Sequence, residues 1–149
     1  MVKKTGLISL FILCIILASC GSNQETVTYY YDDDTHLEEI TITAEDNEII
    51  EHATKVTIEY EDVGYESKEK AQESIDFSES EDMKSVDGID VNQTFGDDKF
   101  VHNVTYDFSV IDPSEASGEL REFLEAEESR DFEIQAQELE DAGFEEAEE

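Results

Sequence analysis

The sequence predicts an α+β domain in which a five-stranded antiparallel meander sheet packs about three helices on one face. Three features support this prediction: apolar and polar residues alternate in five segments, short polar connections join most of these segments, and later segments carry apolar residues at helical spacing. Composition alone leaves folding open. Leu, Ile, Val and Phe supply only 28 of the residues from 20 to 149, close to the level at which highly charged chains are disordered.

The strands are predicted from alternation and from their β-branched and aromatic residues. In the third strand the inward-facing set of alternate residues begins at Ile50 and continues through His52. In the fifth strand the inward-facing set ends at Val110. The five predicted strands cover residues 27–31, 40–44, 50–60, 89–95 and 100–110. Tight connections at residues 32–34, 45–48 and 96–98 favour an antiparallel meander with one solvent-exposed face.

Three helices are predicted around these strands. The first covers residues 67–75, with Ser67 as its N-cap. The second begins at Asp112, which caps the helix, while Pro113 takes the first position and Glu115 closes a capping box. Its apolar stripe consists of Ala116, Leu120, Phe123 and Leu124.

The last helix is predicted over residues 133–142. Gly143 suits the C′ position of a Schellman motif, which would place Phe144 against Leu139. Both C-terminal helices have an apolar stripe that must be buried, and the apolar face of the sheet is the large surface available to them.

The N-terminal segment predicts export from the cytoplasm. Two lysines precede a nearly uninterrupted apolar run at residues 7–18, which is too short to span a bilayer comfortably. The run ends in LASC at residues 17–20, which resembles the lipobox of bacterial lipoproteins. That resemblance implies cleavage between Ser19 and Cys20 and attachment of diacylglycerol, with acyl chains such as palmitate, to the Cys20 thiol. An ordinary signal peptide and an uncleaved N-terminal anchor are the alternatives.

The chain is thus predicted to comprise a signal peptide at residues 1–19, a lipidated cysteine with a short tether at residues 20–25, and a single α+β domain at residues 26–149. The predicted location is the outer face of a bacterial cell membrane, with the acyl chains as the membrane contact. Cys14 leaves with the signal peptide and Cys20 is consumed by lipid, so the mature domain is expected to have no disulfide.

The charge of the chain is strongly negative, with 41 acidic and 9 basic residues and a net charge of −32. Repulsion by phosphate argues against nucleic acid or an anionic membrane surface as a direct partner. Such a charge weakens a compact fold at low salt, and dissolved salt screens it. The sequence therefore predicts adaptation to high salt or alkali; an acidic surface without special meaning is the alternative.

Candidate site residues are few. The acidic turns at residues 32–34 and 97–98 could attract calcium, but they lack the spacing of an EF-hand loop, so solvated turns are the preferred interpretation. Strand parity places His52 and His102 on the buried face, as ligands or, preferentially, as structural residues; His36 is the third histidine. The tyrosines at 29–31 suit either the stacking of a sugar or peptide or, preferentially, ordinary sheet packing. No catalytic residue, cofactor or metal is assigned.

Three segments carry a family resemblance: GYESKEKA at residues 64–71, VDGI at 86–89 and LEDAGF at 139–144. Together with the lipobox and the pair of strands rich in tyrosine and threonine, they resemble the YehR-like family of small bacterial lipoproteins. The resemblance implies a compact α+β domain of unassigned biochemical role and transfers no catalytic or binding residue. The acidity departs from the family, whose members are richer in lysine.

The predicted function is that of a lipid-anchored extracytoplasmic lipoprotein of unassigned biochemical role. It is expected to be a non-catalytic binding or envelope accessory module, adapted to high salt, with an unknown protein or small-ligand partner. The alternatives are an extracytoplasmic hydrolase that uses unidentified carboxylates and an ion or solute scavenger that acts through its acidic surface. Two converging carboxylates or both sheet histidines in one pocket would favour the hydrolase, and an exposed sheet edge or apolar patch would favour the binding module.

Overall fold

The computed structural model describes residues 23–75 and 82–147. Within these ranges the protein is an α+β domain with one antiparallel sheet of six strands and three α-helices. The strands are β1 (Gln24–Asp32), β2 (Leu37–Glu45), β3 (Glu48–Glu59), β4 (Ile89–Phe95), β5 (Lys99–Asp107) and β6 (Glu145–Glu146). The helices are α1 (Lys68–Ser74), α2 (Gly118–Glu125) and α3 (Phe132–Ala142), with short 3₁₀ turns at Pro113–Glu115 and Glu128–Arg130.

The order of strands in the sheet is β4-β5-β3-β2-β1-β6, and all neighbours are antiparallel. The prediction of a five-stranded meander is corrected in two ways. β3 pairs with β5 rather than with β4, and β6 adds a sixth strand beside β1. The connection from β3 to β4 contains α1 and is long enough to carry the chain past one strand position, whereas a meander requires short connections.

A β-bulge between β2 and β3 changes which residues of β3 face the core. Thr43 lies opposite Glu51, whereas Ala44 lies opposite Ile49, so Ile50 is the extra residue. The predicted inward position of Ile50 is therefore wrong: Ile49 is fully buried and Ile50 is only half-buried. Beyond the bulge the predicted alternation of β3 is confirmed.

The strand predicted to reach Val110 ends earlier, at Asp107. Phe108 is still buried, and its N–H donates to the Ile50 carbonyl at 2.9 Å. The Asp107 carboxylate then accepts the N–H of Ser109 at 3.0 Å, a local turn that directs the chain out of the sheet. Val110 is consequently 56% exposed and does not extend the inward face.

Helix α1 begins after Ser67, as predicted, whereas the second helix begins later than predicted. The Asp112 carboxylate caps only the 3₁₀ turn that follows it. Gly118 adopts a left-handed φ of 58°, which a continuous helix cannot contain, so α2 starts there. Within the described residues the Glu115 carboxylate accepts the N–H of Asp87 at 3.5 Å, and the predicted capping box on Asp112 is not formed.

Helix α3 has the predicted ends to within one residue. The Asp131 carboxylate accepts the N–H of Ile134 at 3.0 Å and caps the first turn. The helix stops at Gly143, which has a φ of 96°, and the Phe144 N–H donates to the Leu139 carbonyl at 3.0 Å, as the Schellman prediction requires. β6 follows directly and was not predicted.

The core consists of two clusters on the face of the sheet that the helices cover. The smaller cluster lies beside α1 and contains Tyr60, Ala71 and Phe100. The larger cluster lies beneath α2 and α3, and its buried members are Tyr29, Ile40, Ile42, Ile49, Val86, Ile89, Val104, Phe108, Ala116 and Leu124. The predicted packing of helices on one face is confirmed.

Candidate functional site

An apolar groove lies between α2 and the end of β5. Tyr106 of β5 forms its floor, Leu120 and Phe123 of α2 form one wall, and Met83 from the segment before β4 forms the other. The groove has a volume of about 470 Å³. Its rim is polar and consists of Asp82, Ser117, Gly118 and Glu119. Because α2 starts only at Gly118, the rim at residues 117–119 consists of the N-cap and the first two residues of the helix rather than its middle.

Tyr106 is the polar group of the groove. Its ring lies 5.7 Å from the ring of Phe123 and 6.0 Å from that of His52, measured between centroids. Burial raises the pKa of Tyr106 above its ordinary value of 10, so the hydroxyl stays protonated and can donate a hydrogen bond. It donates to the Met83 sulfur at 3.9 Å, and a thioether is a weak acceptor. A ligand oxygen would be a better partner for this hydroxyl.

The two sheet histidines both lie on the helix-covered face, as strand parity predicts, but the structure does not bring them together. His52 is opposite Tyr106, whereas His102 is opposite Val56. Tyr106 and His102 are four residues apart along β5, so the histidines are separated by about 13 Å. Two isolated histidines at this distance cannot act as one ligand pair.

Burial also determines the protonation of these histidines. It lowers the pKa of His52 to about 4, so the ring is neutral at physiological pH. Burial lowers the pKa of His102 as well, and the nearby Lys84 ammonium acts in the same direction. His52 Nδ1 and His102 Nε2 are buried and have no hydrogen-bond partner within the described part of the chain. The third histidine, His36, lies in the turn between β1 and β2.

The acidic turns use their carboxylates locally. Asp33 Oδ1 accepts the N–H and the hydroxyl of Thr35, both at 2.7 Å, and the N–H of His36 at 2.9 Å. These hydrogen bonds, above all the one from the Thr35 hydroxyl, lower the pKa of Asp33 to about 2. Among residues 23–75 and 82–147, no three side chains of His, Cys, Asp or Glu are grouped to hold a metal ion.

The three consecutive tyrosines do not form one stacking surface. Tyr29 is buried in the larger core cluster, and Tyr30, on the opposite face of β1, is 39% exposed. Tyr31 contacts Phe144 at 5.3 Å and His36 at 5.8 Å between ring centroids. Tyr29 and Tyr31 therefore pack within the domain, as the preferred prediction of ordinary sheet packing expects.

The predicted cleavage site at Ser19 and Cys20, and the lipidated Cys20 itself, lie outside the described residues. Of the helices that the structure describes, the longest has eleven residues, and none is long and apolar enough to cross a membrane.

Sequence reasoning did not find the groove. The sequence predicts that Leu120 and Phe123 belong to a buried stripe and that Tyr106 lies on an inward strand face, yet Phe123 is 37% exposed. The sequence signal for the groove is the pair Ser117-Gly118. It moves the start of α2 from Asp112 to Gly118 and leaves one side of the helix accessible.

A family model and two sequence relatives match this chain. The family model described as a protein of unknown function, DUF1307, matches residues 25–145. An uncharacterised lipoprotein of Listeria monocytogenes is 25% identical over 109 residues, which is 73% of this chain and 71% of that protein. An uncharacterised lipoprotein of Listeria innocua is 22% identical over 109 residues, with the same shares of the two chains.

Two solved structures share the fold. The NMR structure of the Escherichia coli YehR protein superposes with a TM-score of 0.67 at 20% identity and covers 85% of this chain and 93% of that one. The NMR structure of a protein from Streptococcus pneumoniae TIGR4 gives a TM-score of 0.56 at 17% identity, covering 99% and 98% of the two chains. The predicted resemblance to YehR-like lipoproteins is confirmed.

Proposed function

The chain belongs to the DUF1307 family, and we propose that it is a lipid-anchored lipoprotein outside the cytoplasm that binds an apolar ligand without transforming it. Two features support the anchor: the Listeria relatives are named lipoproteins, and the chain carries the lipobox at residues 17–20. In this proposal Cys20 bears the acyl chains, palmitate among them, and the domain lies on the outer face of the cell membrane. Each buried CH₂ of those chains contributes about 0.8 kcal/mol to membrane binding.

Mass spectrometry of the mature N-terminus tests the anchor. The expected first residue is a diacylglyceryl Cys20. An unmodified Cys20, or cleavage at another position, would contradict this part of the proposal.

The observation that supports a binding function is the apolar groove beside α2. A concavity of a few hundred Å³ with an apolar lining and one well-placed polar group is typical of sites for small molecules. Leu120, Phe123 and Met83 supply the apolar surface, and Tyr106 supplies a hydrogen-bond donor. Because Asp82 and Glu119 lie on the rim, the ligand is expected to be neutral or cationic, with an apolar body and an oxygen acceptor.

Binding of the neutral fluorescent probe N-phenyl-1-naphthylamine tests this assignment. A domain that begins at Gly21 retains every described strand and helix and is free of competing lipid. Phe123→Gln is expected to weaken the affinity at least about tenfold, which corresponds to 1.4 kcal/mol. Val110→Gln is the matched control, because Val110 is apolar and 56% exposed but lies outside the groove. Absence of binding to the unmodified domain, or equal weakening by the two variants, would reject the groove as the site.

The proposal contains no catalytic step. Its support is the separation of His52 from His102: His52 lies beside Tyr106 in the sheet, no second histidine is next to it, and neither histidine lines the groove. Turnover of chromogenic ester and glycoside substrates is the corresponding measurement, and no turnover above the uncatalysed rate is expected. Turnover that His52→Leu abolishes would replace the binding module with a hydrolase.

The proposal also includes adaptation to high salt. It is supported by the composition: with residues 1–19 removed, 41 acidic residues face only seven basic ones. The self-repulsion of such a domain falls as dissolved salt shortens the Debye length. The test is the salt dependence of its thermal stability.

A further inference from the structure

The first described residues are fixed at one end of the sheet. The Asn23 N–H donates to Asp46 Oδ1 at 3.3 Å, and the Asp46 N–H donates to the Asn23 carbonyl at 3.0 Å. β1 then pairs with β2 from Gln24, which lies opposite Glu45. The chain therefore enters the sheet directly beside the turn that joins β2 to β3.

The same turn is joined to the start of α3. The Phe132 N–H donates to the Asn47 carbonyl at 3.0 Å, Glu48 forms a β-bridge with Asp131, and the Glu48 carboxylate is ion-paired with Arg130. We call this surface the anchor end, and it consists of Asn23, residues 46–48 and residues 127–131. It carries five carboxylates and one guanidinium.

The distance from the anchor end to the proposed lipid is short. Cys20 precedes Asn23 by three residues, which reach at most about 11 Å. β3 runs from the anchor end to the opposite end of the sheet, and its twelve residues span about 40 Å. A tether so much shorter than the domain brings the anchor end, and not the end with the turns at residues 33–36 and 96–98, to the lipid headgroups.

The charge of the domain opposes the alternative in which it lies on its helices. In that orientation over anionic lipid, the carboxylates of α2 and α3 would come within the Debye length, which is about 8 Å at physiological salt. An upright domain presents the five carboxylates of the anchor end to the headgroups, together with neighbouring ones such as Glu45, which lies opposite Gln24 at the same end of the sheet. The ammonium groups of zwitterionic lipids are complementary to those carboxylates.

We propose that the anchor end docks on the headgroup layer of the membrane that holds the acyl chains, and that zwitterionic headgroups are its favoured partner. The inference rests on the proposed lipid anchor. The turns at residues 33–36 and 96–98 then project away from the bilayer by about the length of the sheet, about 40 Å.

Energy transfer from the protein to labelled lipid tests this orientation. The processed full-length lipoprotein is reconstituted in phosphatidylcholine vesicles that contain a trace of headgroup-labelled acceptor lipid. Glu128→Cys places a donor dye at the anchor end, and Asp97→Cys places it at the opposite end; each variant removes one exposed carboxylate, and lipidated Cys20 does not react with the dye. Because the two positions differ in height by most of the sheet length, transfer from position 128 is expected to exceed that from position 97 at least about twofold.

The outcomes separate the orientation from the anchor. Equal transfer from the two positions in vesicle-bound protein would overturn the orientation and leave the lipid anchor intact. Stronger transfer from position 97 would do the same. Protein that does not co-sediment with the vesicles would overturn the anchor, and the orientation with it.

A second measurement tests the preference for zwitterionic lipid. When phosphatidylglycerol replaces part of the phosphatidylcholine at low salt, transfer from position 128 is expected to fall, because the carboxylates of the anchor end are repelled. Molar NaCl shortens the Debye length from about 30 Å at 0.01 M to about 3 Å and is expected to restore the transfer. Transfer that is independent of lipid charge would overturn the headgroup preference.

Discussion

At the scale of single residues, His52 couples the stability of the fold to pH. Burial lowers the pKa of His52 to about 4, whereas an unfolded chain titrates near the ordinary value of 6.5. The unfolded state therefore binds a proton at a higher pH than the folded state does. The stability associated with neutral His52 is complete above about pH 6.5 and is lost progressively as the pH falls toward 4, by about 3 kcal/mol in all.

We predict that His52→Leu removes this part of the pH dependence. The variant also removes Nδ1, a buried polar atom without a hydrogen-bond partner among the described residues, so its stability at pH 7 is expected to match or exceed that of the unmodified protein. Urea unfolding at pH 7.5 and at pH 4.5 measures how much unfolding free energy each protein loses on acidification. The loss in His52→Leu is expected to be about 2 kcal/mol smaller than in the unmodified protein. His36→Gln is the control, because His36 lies in the turn between β1 and β2 and belongs to neither core cluster.

Parallel pH profiles for the unmodified protein and His52→Leu would show that His52 does not cause the acid sensitivity. The titration of Asp33 does not overlap the pH range of this comparison. Its pKa of about 2 is held there by hydrogen bonds from Thr35 and His36, so its contribution to stability is lost only as the pH falls from about 4 toward 2.

At the scale of single elements, the N-terminal caps of α2 and α3 form a natural contrast. The Asp131 carboxylate accepts the N–H of Ile134 at 3.0 Å, whereas Ser117 makes no side-chain hydrogen bond at the start of α2. Asp131→Ala is expected to lower the free energy of unfolding by about 1 kcal/mol, and Ser117→Ala to change it by less than about 0.5 kcal/mol. Urea midpoints at pH 7 measure both changes.

Charge is the confounding factor in that comparison, because removing any carboxylate from this protein reduces its self-repulsion. Asp131→Asn removes the charge and keeps an oxygen that can cap the helix, so it is expected to remain within about 0.5 kcal/mol of the unmodified protein. Equal losses from Asp131→Ala and Ser117→Ala, or a loss from Asp131→Asn as large as that from Asp131→Ala, would contradict the assignment of the cap.

The elements that sequence predicts correctly are those whose causes are local. Ser67 caps α1 and Gly143 ends α3 because each acts on residues within one helical turn, and the alternation in β5 follows from the geometry of a single strand. The second helix shows the limit even of local rules. Asp112 caps only a short 3₁₀ turn, and the left-handed conformation of Gly118 interrupts the helix predicted to continue from it.

The features that sequence reasoning missed depend on a second segment distant in the chain. Ile49 replaces Ile50 in the core because of a bulge that exists only when β2 and β3 pair. The order of β4 and β5 depends on a crossover, and β6 consists of two glutamates without any apolar pattern. The groove depends on where α2 rests relative to Tyr106, and the separation of the two histidines depends on the register of β3 on β5.

At the scale of the whole molecule, charge opposes the compact state that the two core clusters favour. The ion pair Lys70–Glu73 lies within α1 and the ion pair Arg121–Glu125 lies within α2, each at 2.7 Å. Both join exposed side chains, so each contributes about 1 kcal/mol or less. Seven cations in residues 20–149 cannot neutralise 41 carboxylates, whatever their geometry. Dissolved salt is therefore the available means of reducing the repulsion.

We predict that the melting temperature rises by at least about 5 °C between 0.05 M and 1 M NaCl, because the Debye length falls to about 3 Å. A variant in which four exposed carboxylates become amides, at Glu61, Asp90, Glu122 and Glu140, should melt higher than the unmodified protein at low salt and gain less from added salt. Sucrose separates screening from the general effect of excluded solutes, since it favours compact states without screening and should raise both melting temperatures equally. Equal salt gains for the two proteins, or none for the unmodified protein, would remove electrostatic repulsion as the cause and adaptation to high salt as its consequence.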